Sequence, residues 1–207
     1  MDAEMVRDYA LAASGLLSPK IGGPSVKPYQ PPGVWEAVAM TVSNTKEYQP
    51  DAGEALYRRS MYTFWKRSAP PASLDIFNAP NREGCTVVRE RTNTPLQALV
   101  TLNDPQYVEA ARQLAQRALL ESAPSFRHRL SFVAGRLLAR DFTPAEQAVI
   151  EQSLDQLAEF YAAHADETEK LLTVGESKAD PTVPRAELAA WTMVVNQLMN
   201  LDETLNK

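Results

Sequence analysis

Thr92-Asn93-Thr94-Pro95-Leu96-Gln97-Ala98-Leu99, closed by Leu102-Asn103-Asp104-Pro105, writes two helix starts in one short stretch. Each Pro follows a side-chain oxygen able to cap, first Thr94 and then Asp104, so the ring enters the first helical turn, where its missing N–H costs nothing. Asn93 and Asn103 suit the turns beside those caps. Beyond them, Leu96, Leu99 and Val100 mark a short helix. Val108, Ala111, Leu114, Ala115, Ala118 and Leu119 mark a longer one, spaced by three and four.

Toward the C-terminus the same spacing recurs at Phe126, Leu130, Val133 and Leu137. Thr143-Pro144-Ala145-Glu146 reads as a capping box before a helix with stripe Ile150, Leu154, Leu157 and Tyr161. The polar residues 165–181 read as a loop, mobile in part. Leu188, Trp191, Val195, Leu198, Leu201 and Leu205 define a terminal helix. Toward the N-terminus, Val6, Tyr9, Ala10, Ala13 and Leu17 predict a helix over 3–13 that stops at Gly15. Residues 18–50 hold six of the fifteen prolines, yet Tyr29, Val34, Trp35, Val38 and Met40 ask for burial, so an ordered loop is expected. Asp51-Ala52-Gly53-Glu54 resembles a capping box opening a helix toward Lys66, and 85–91 is the one candidate extended segment. Several apolar stripes need one shared core. The expectation is a mainly α fold: an irregular helical bundle with long ordered Pro/Gly-rich loops and at most one or two short strands. It forms a single domain over 1–207, with a loop-rich region with helices at 1–94 and a helical bundle at 95–207.

A chain of 207 residues with 44% hydrophobic composition suffices for a sizeable core. No run of about 18 apolar residues offers a membrane span. Met1-Asp2-Ala3-Glu4 lacks the basic and apolar regions of a secretory signal. The single Cys85 forms no internal disulfide, and no Cys-x-x-Cys-His is present to attach haem. Net charge is −5, but residues 58–91 carry +4 and residues 141–207 carry −9. An acidic protein of this kind is a poor nucleic-acid partner.

No catalytic constellation is legible. His128 and His164 lack a matching ligand pattern, so no metal is expected. Cys85 lies near Arg82 and Arg89 without a histidine placed as its base. Gly22-Gly23-Pro24-Ser25 lacks the Gly-Lys-Ser/Thr ending of a phosphate loop and fits a tight turn. The one group suited to a ligand is aromatic and basic: Arg58, Arg59, Tyr62, Trp65, Lys66, Arg67, Arg82, Arg89 and Arg91. Flat rings stack on sugar faces, and guanidinium forks suit carboxylates and sulfates, so an anionic polysaccharide would satisfy both. In the alternative reading Tyr62 and Trp65 anchor the core and the arginines tie loops to carbonyls and to carboxylates such as Glu83 and Glu90.

Five blocks carry a family resemblance: Ser14-Gly15-Leu16-Leu17 with Ile21-Gly22-Gly23-Pro24-Ser25-Val26; Tyr57-Arg58-Arg59 with Tyr62-Thr63-Phe64-Trp65-Lys66-Arg67; Ala79-Pro80 with Arg82-Glu83; residues 91–99 through Asn103-Asp104-Pro105; and Ala190-Trp191-Thr192 with Asn200-Leu201-Asp202-Glu203. In these the chain resembles the C-terminal domain of unknown function found in large secreted proteins of planctomycete-type bacteria. Ser60, where that family often has Gly, and Gly84-Cys85 depart from the pattern. The resemblance implies upstream domains in the same polypeptide, one of them cytochrome c-like and holding the haem, with no cofactor in this chain. It also implies a periplasmic or extracellular location, with any export signal lying upstream. Three roles follow: an accessory or structural domain, an anionic glycan-binding module, or an enzyme site completed by the neighbouring domain with Glu83, Asp75 or Arg91 contributed from here.

Overall fold

The computed structural model describes residues 1–40 and 42–206. Thr41, in the loop expected over 18–50, and Lys207, in the charge tally over 141–207, lie outside the described residues. The chain divides into two compact units, one of residues 1–9 and 17–100 and one of residues 10–16 and 101–207. The helices α1 (Ala3–Ser14) and α3 (Pro95–Asn103) each contribute residues to both. Among the described residues all regular structure is helical, and extended pairing is limited to isolated parallel bridges, Ser18 with Arg58 and Val26 with Thr63. The protein is mainly α.

The first unit is held by polar side chains as much as by a core. Residues 51–66, expected as a helix, form two 3₁₀ turns, Gly53–Tyr57 and Ser60–Tyr62, with Arg58 and Arg59 extended between them. The capping box fails because its members bond elsewhere: Asp51 accepts the Lys27 N–H at 2.7 Å, and Glu54 accepts the Ser18 hydroxyl at 2.6 Å. Pairing with the 18–26 segment then replaces helical bonds. Ser18 N–H donates to the Tyr57 carbonyl at 3.0 Å, and Val26 N–H to that of Tyr62 at 2.8 Å. Segment 85–91 is not a strand; its residues are exposed, with Val87 at 96% and Val88 at 80%, because the alternation lacks an apolar face to pair on. In the 18–50 loop Trp35 is buried, but Val38 and Met40 are exposed against expectation.

Helix α2 (Ala72–Ile76) is a single turn after Pro71. At α3 the caps read from sequence are in place: Gln97 N–H donates to Thr94 Oγ1 at 3.3 Å, and Thr94 N–H donates to Gln97 Oε1 at 3.0 Å. The inward face is nevertheless polar. Gln97 Nε2 donates to the Ile76 carbonyl and to Thr92 Oγ1, both at 2.9 Å, and is buried, whereas Leu96 and Leu99 are exposed.

In the second unit α4 (Pro105–Glu121) packs chiefly on α8 (Arg185–Met199). Ala110, Ala111, Leu114, Ala115 and Ala118 face inward from α4, and Leu188, Ala189, Ala190 and Val195 from α8, all without exposed surface. The alanines let the axes approach closely, and each buried Leu contributes about 1.5–3 kcal/mol. Asp104 caps α4 by accepting the Gln106 N–H at 3.0 Å. Helix α5 (Phe126–Leu137) buries Leu130, Val133 and Leu137 as its spacing requires. Of the α6 (Pro144–Ala163) stripe only Tyr161 is fully buried; Ile150, Leu154 and Leu157 are half-buried.

Residues 165–172, expected in a loop, form α7 (Ala165–Leu172). Its polar composition conceals a spacing of three and four at Ala165, Thr168 and Leu172; buried Leu172 anchors it, and Thr168 Oγ1 donates to the Tyr161 carbonyl at 2.9 Å. The terminal helix ends at Met199, and α9 (Asp202–Leu205) is separate. Leu201 is extended, and Thr204 Oγ1 donates back to the Leu198 carbonyl at 2.9 Å, satisfying a helix end that continuation would have bonded itself.

The α6 capping box forms as read, and Arg140 joins it. Glu146 Oε2 accepts the Thr143 N–H at 2.7 Å; Arg140 Nη2 lies 3.0 Å from Glu146 Oε1 and 2.6 Å from Glu203 Oε2. The Arg140 bonds, and then those from Thr143, hold the Glu146 carboxyl down at about 2, against an ordinary 4.5. A pKa lower in the folded state means stability that is complete above pH ~4.5 and is lost as pH falls toward ~2. The melting temperature of Glu146→Gln should therefore lie below that of the wild type at pH 7, and the gap should close across that window. A constant gap from pH 7 to pH 2 refutes this linkage.

Candidate functional site

The basic aromatic residues all lie in the first unit, where they form separate groups rather than one surface. Arg58 is buried at 3% exposure because the 3₁₀ turns on either side aim it back at loop 20–24. Its Nη1 donates to the Pro24 carbonyl at 3.0 Å, and its Nη2 to those of Gly22 at 2.5 Å and Lys20 at 3.4 Å. Gly22 and Gly23 make this possible with φ of 78° and 90°, the left-handed region that lets successive carbonyls converge. The Tyr62 ring lies 3.9 Å from the guanidinium carbon, and its hydroxyl accepts the Gly22 N–H at 2.8 Å. The Gly-Gly-Pro-Ser loop is thus a carbonyl cage around a cation. A phosphate loop would need the opposite polarity, N–H groups turned inward.

Arg7 supports the same segment from α1. At 2% exposure it donates from Nη1 to the Arg58 carbonyl at 2.8 Å and Ser60 Oγ at 3.2 Å, and from Nη2 to the Leu56 carbonyl at 2.6 Å. Asp8 Oδ1 accepts both the N–H and the hydroxyl of Ser60, each at 2.7 Å. Ser60 thus ties the segment to α1 through both its N–H and its hydroxyl. Neither Arg7 nor Asp8 stood out in sequence. The available signal was a cation sharing a helix face with Ala3, Ala10 and Leu11, all buried.

Lys66 belongs to a third group, around Trp35. Its Nζ donates to the Thr45 carbonyl at 2.8 Å and lies 4.7 Å from the Trp35 ring centre, and the ring meets Tyr48 edge-on at 4.8 Å. Burial, and then Asp51, push the Tyr48 hydroxyl well above the usual tyrosine value. Its proton is committed to the Pro28 carbonyl at 2.5 Å.

Trp65 and Arg82 pair separately. Trp65 Nε1 donates to the Asn81 carbonyl at 3.2 Å, and the Arg82 guanidinium sits 4.5 Å from the Trp65 ring centre. Arg82 adopts a φ of 63°, and Asn81 Oδ1 steadies the turn by accepting the Glu83 N–H at 3.0 Å. Arg89 and Arg91 lie apart, on the start of α1: Arg89 Nη1 is 2.7 Å from Glu4 Oε2, and Arg91 Nε is 2.9 Å from Asp2 Oδ1. These are surface pairs, worth at most about 1 kcal/mol each. Arg59 and Arg67 are exposed, and among the described residues their side chains have no hydrogen-bond or ion-pair partner.

Asp75, Glu83 and Cys85 are exposed. In the second unit His128 Nδ1 lies 2.6 Å from the hydroxyl of its own cap, Ser125, and His164 Nδ1 lies 2.7 Å from the Phe160 carbonyl. Among the described residues no group of three His, Cys, Asp or Glu is placed to hold a metal ion, and no helix is long and apolar enough to cross a membrane.

A family model described as protein of unknown function (DUF1553), PSD1, matches residues 1–154, through α5 and into α6. The match contains the carbonyl cage, the Arg7 post and both Pro-marked helix starts. No curated protein and no solved structure matches.

Proposed function

The chain belongs to the DUF1553 family of proteins of unknown function, and from that premise we propose that it is an accessory structural domain docking against upstream domains of one exported polypeptide. The observation carrying this reading is the placement of exposed apolar side chains. Among the described residues fourteen large hydrophobic side chains are exposed, and ten belong to the first unit: Met5, Ile21, Val38, Met40, Val42, Met61, Val87, Val88, Leu96 and Leu99. An apolar surface marks a docking site where exposed side chains adjoin, and Leu96 and Leu99 do so, three residues apart on α3. The arginines that sequence offered for ligands support the same reading, since Arg58, Arg89 and Arg91 are engaged internally. In this proposal the haem of a cytochrome c-like neighbour is the redox centre, the location is periplasmic or extracellular, and this chain supplies support rather than chemistry.

Leu96→Lys with Leu99→Lys tests it. At 54% and 55% exposure both changes should leave the stability of this chain alone within about 0.5 kcal/mol. In the longer polypeptide they should open the interdomain surface, raising proteolysis of the neighbouring domain. Unchanged proteolysis removes the docking role of α3.

A second reading, binding of an anionic glycan, is favoured by Trp65 with Arg82 on its ring and by the unengaged Arg59 and Arg67. It requires salt-sensitive binding to sulfated or uronic glycans that Trp65→Ala with Arg67→Ala abolishes while the fold survives.

A further inference from the structure

A pocket of about 270 Å³ opens in the second unit between α5, α6 and α8. The half-buried ring of Phe126 forms one wall; that of Trp191, only 2% exposed, lies beside it with ring centres 6.1 Å apart and planes tilted by 36°. Its room comes from Ala158 and Ala186, where larger side chains would close it. An apolar cavity of about 150 Å³ already holds a benzene ring, so this one accommodates a ring and several further atoms.

The polar lining is specific. Arg129 Nη1 donates to Glu187 Oε1 at 2.5 Å, and among the described residues its guanidinium makes no other hydrogen bond. Asp155 also lines the pocket, is exposed, and among the described residues its carboxylate has no partner. With Arg129 matched by Glu187, the lining carries one surplus negative charge. An anionic ligand would meet two carboxylates for one guanidinium; a cation would meet an open one.

We propose that this pocket receives the N-terminal aromatic residue of a peptide: its ring against Phe126 and close to Trp191, its α-ammonium toward Asp155, and its neutral carbonyl oxygen accepting from the remaining donors of Arg129. The three groups of the ligand answer three features of the lining. Ring burial supplies most of the affinity, because exposed ion pairs add little. The neutral carbonyl suits Arg129 because it does not displace Glu187.

The test uses the full chain at pH 6 with the dipeptide amide Phe-Gly-NH₂, following the Trp191 indole N–H by NMR. Saturable shifts in the millimolar range are expected, as befits a small ligand. N-acetylation of the probe should weaken binding about two- to five-fold, and Asp155→Asn should erase that difference. Arg129→Lys keeps the charge toward Glu187 but removes the fork, and should weaken binding of both probes about three- to ten-fold. Ala158→Leu and Ala186→Leu, both at half-buried positions, should fill the space and abolish binding with the circular dichroism unchanged. An equal response to Gly-Gly-NH₂, no saturable shift, or binding that survives both leucine variants overturns the proposal and leaves the pocket a packing gap beside α6.

Discussion

Arg7→Met should destabilise the first unit by about 4 kcal/mol, a large share of the stability of an ordinary domain. Met keeps the aliphatic stem and removes the fork. Two buried carbonyls, those of Leu56 and Arg58, then lose the donor that reaches them at 2.6 and 2.8 Å. A buried group left without its bond costs about 1–3 kcal/mol. Arg7→Lys should recover less than half of the loss, because one ammonium cannot bridge Leu56, Arg58 and Ser60 together. Urea midpoints measure the total, and hydrogen exchange locates it: the Ser18 amide, bonded to Tyr57, should lose protection first. A total loss below about 1 kcal/mol would mean that the 56–60 segment is held by something other than this guanidinium.

Gly175→Ala should be nearly as damaging, in the second unit. Gly175 has φ of 82°, and an added Cβ would lie 2.3 Å from Cδ and 2.6 Å from Oε2 of Glu109. Glu109 cannot yield easily. It is 1% exposed, its Oε1 accepts the Ser177 N–H at 2.6 Å, and Arg112 Nη2 holds the same loop through the Ser177 carbonyl at 2.6 Å. Overpacking of about 1–3 kcal/mol and left-handed strain of about 1–2 kcal/mol give an expected loss of about 3–4 kcal/mol. Glu109→Ala in the same chain should relieve the clash, so the double variant should lose clearly less than the two single losses added. Additive losses in thermal or urea melts would show that the carboxylate is not the obstacle.

Both predictions rest on buried polar side chains, Arg7 and Glu109, that the sequence did not single out. Thr94, Asp104 and Thr143 were legible as caps because a cap bonds N–H groups two or three residues away. The stripes of α4, α5 and α8 were legible because each is long enough for its period to show. Segment 51–66 misled for the converse reason: Asp51 and Glu54 have the spacing of a cap, but Lys27 and Ser18, far off in the chain, take their oxygens first. The Leu96 and Leu99 stripe misled because Gln97 buries instead, bonded to the Ile76 carbonyl. The basic cluster was visible as composition. Its division into a carbonyl cage, a Trp65–Arg82 stack and a pair of acidic contacts at α1 was not, since backbone carbonyls carry no residue identity by which sequence could name them as partners.

The amino-acid order alone determined the helical class and the positions of the capped starts, because each depends on neighbours within a turn or two. Tertiary structure decided which side chains face inward on α3, that α7 forms, and where every buried arginine donates. Those outcomes depend on which distant carbonyls and carboxylates arrive within about 3 Å, a competition that folding resolves and local propensity does not contain.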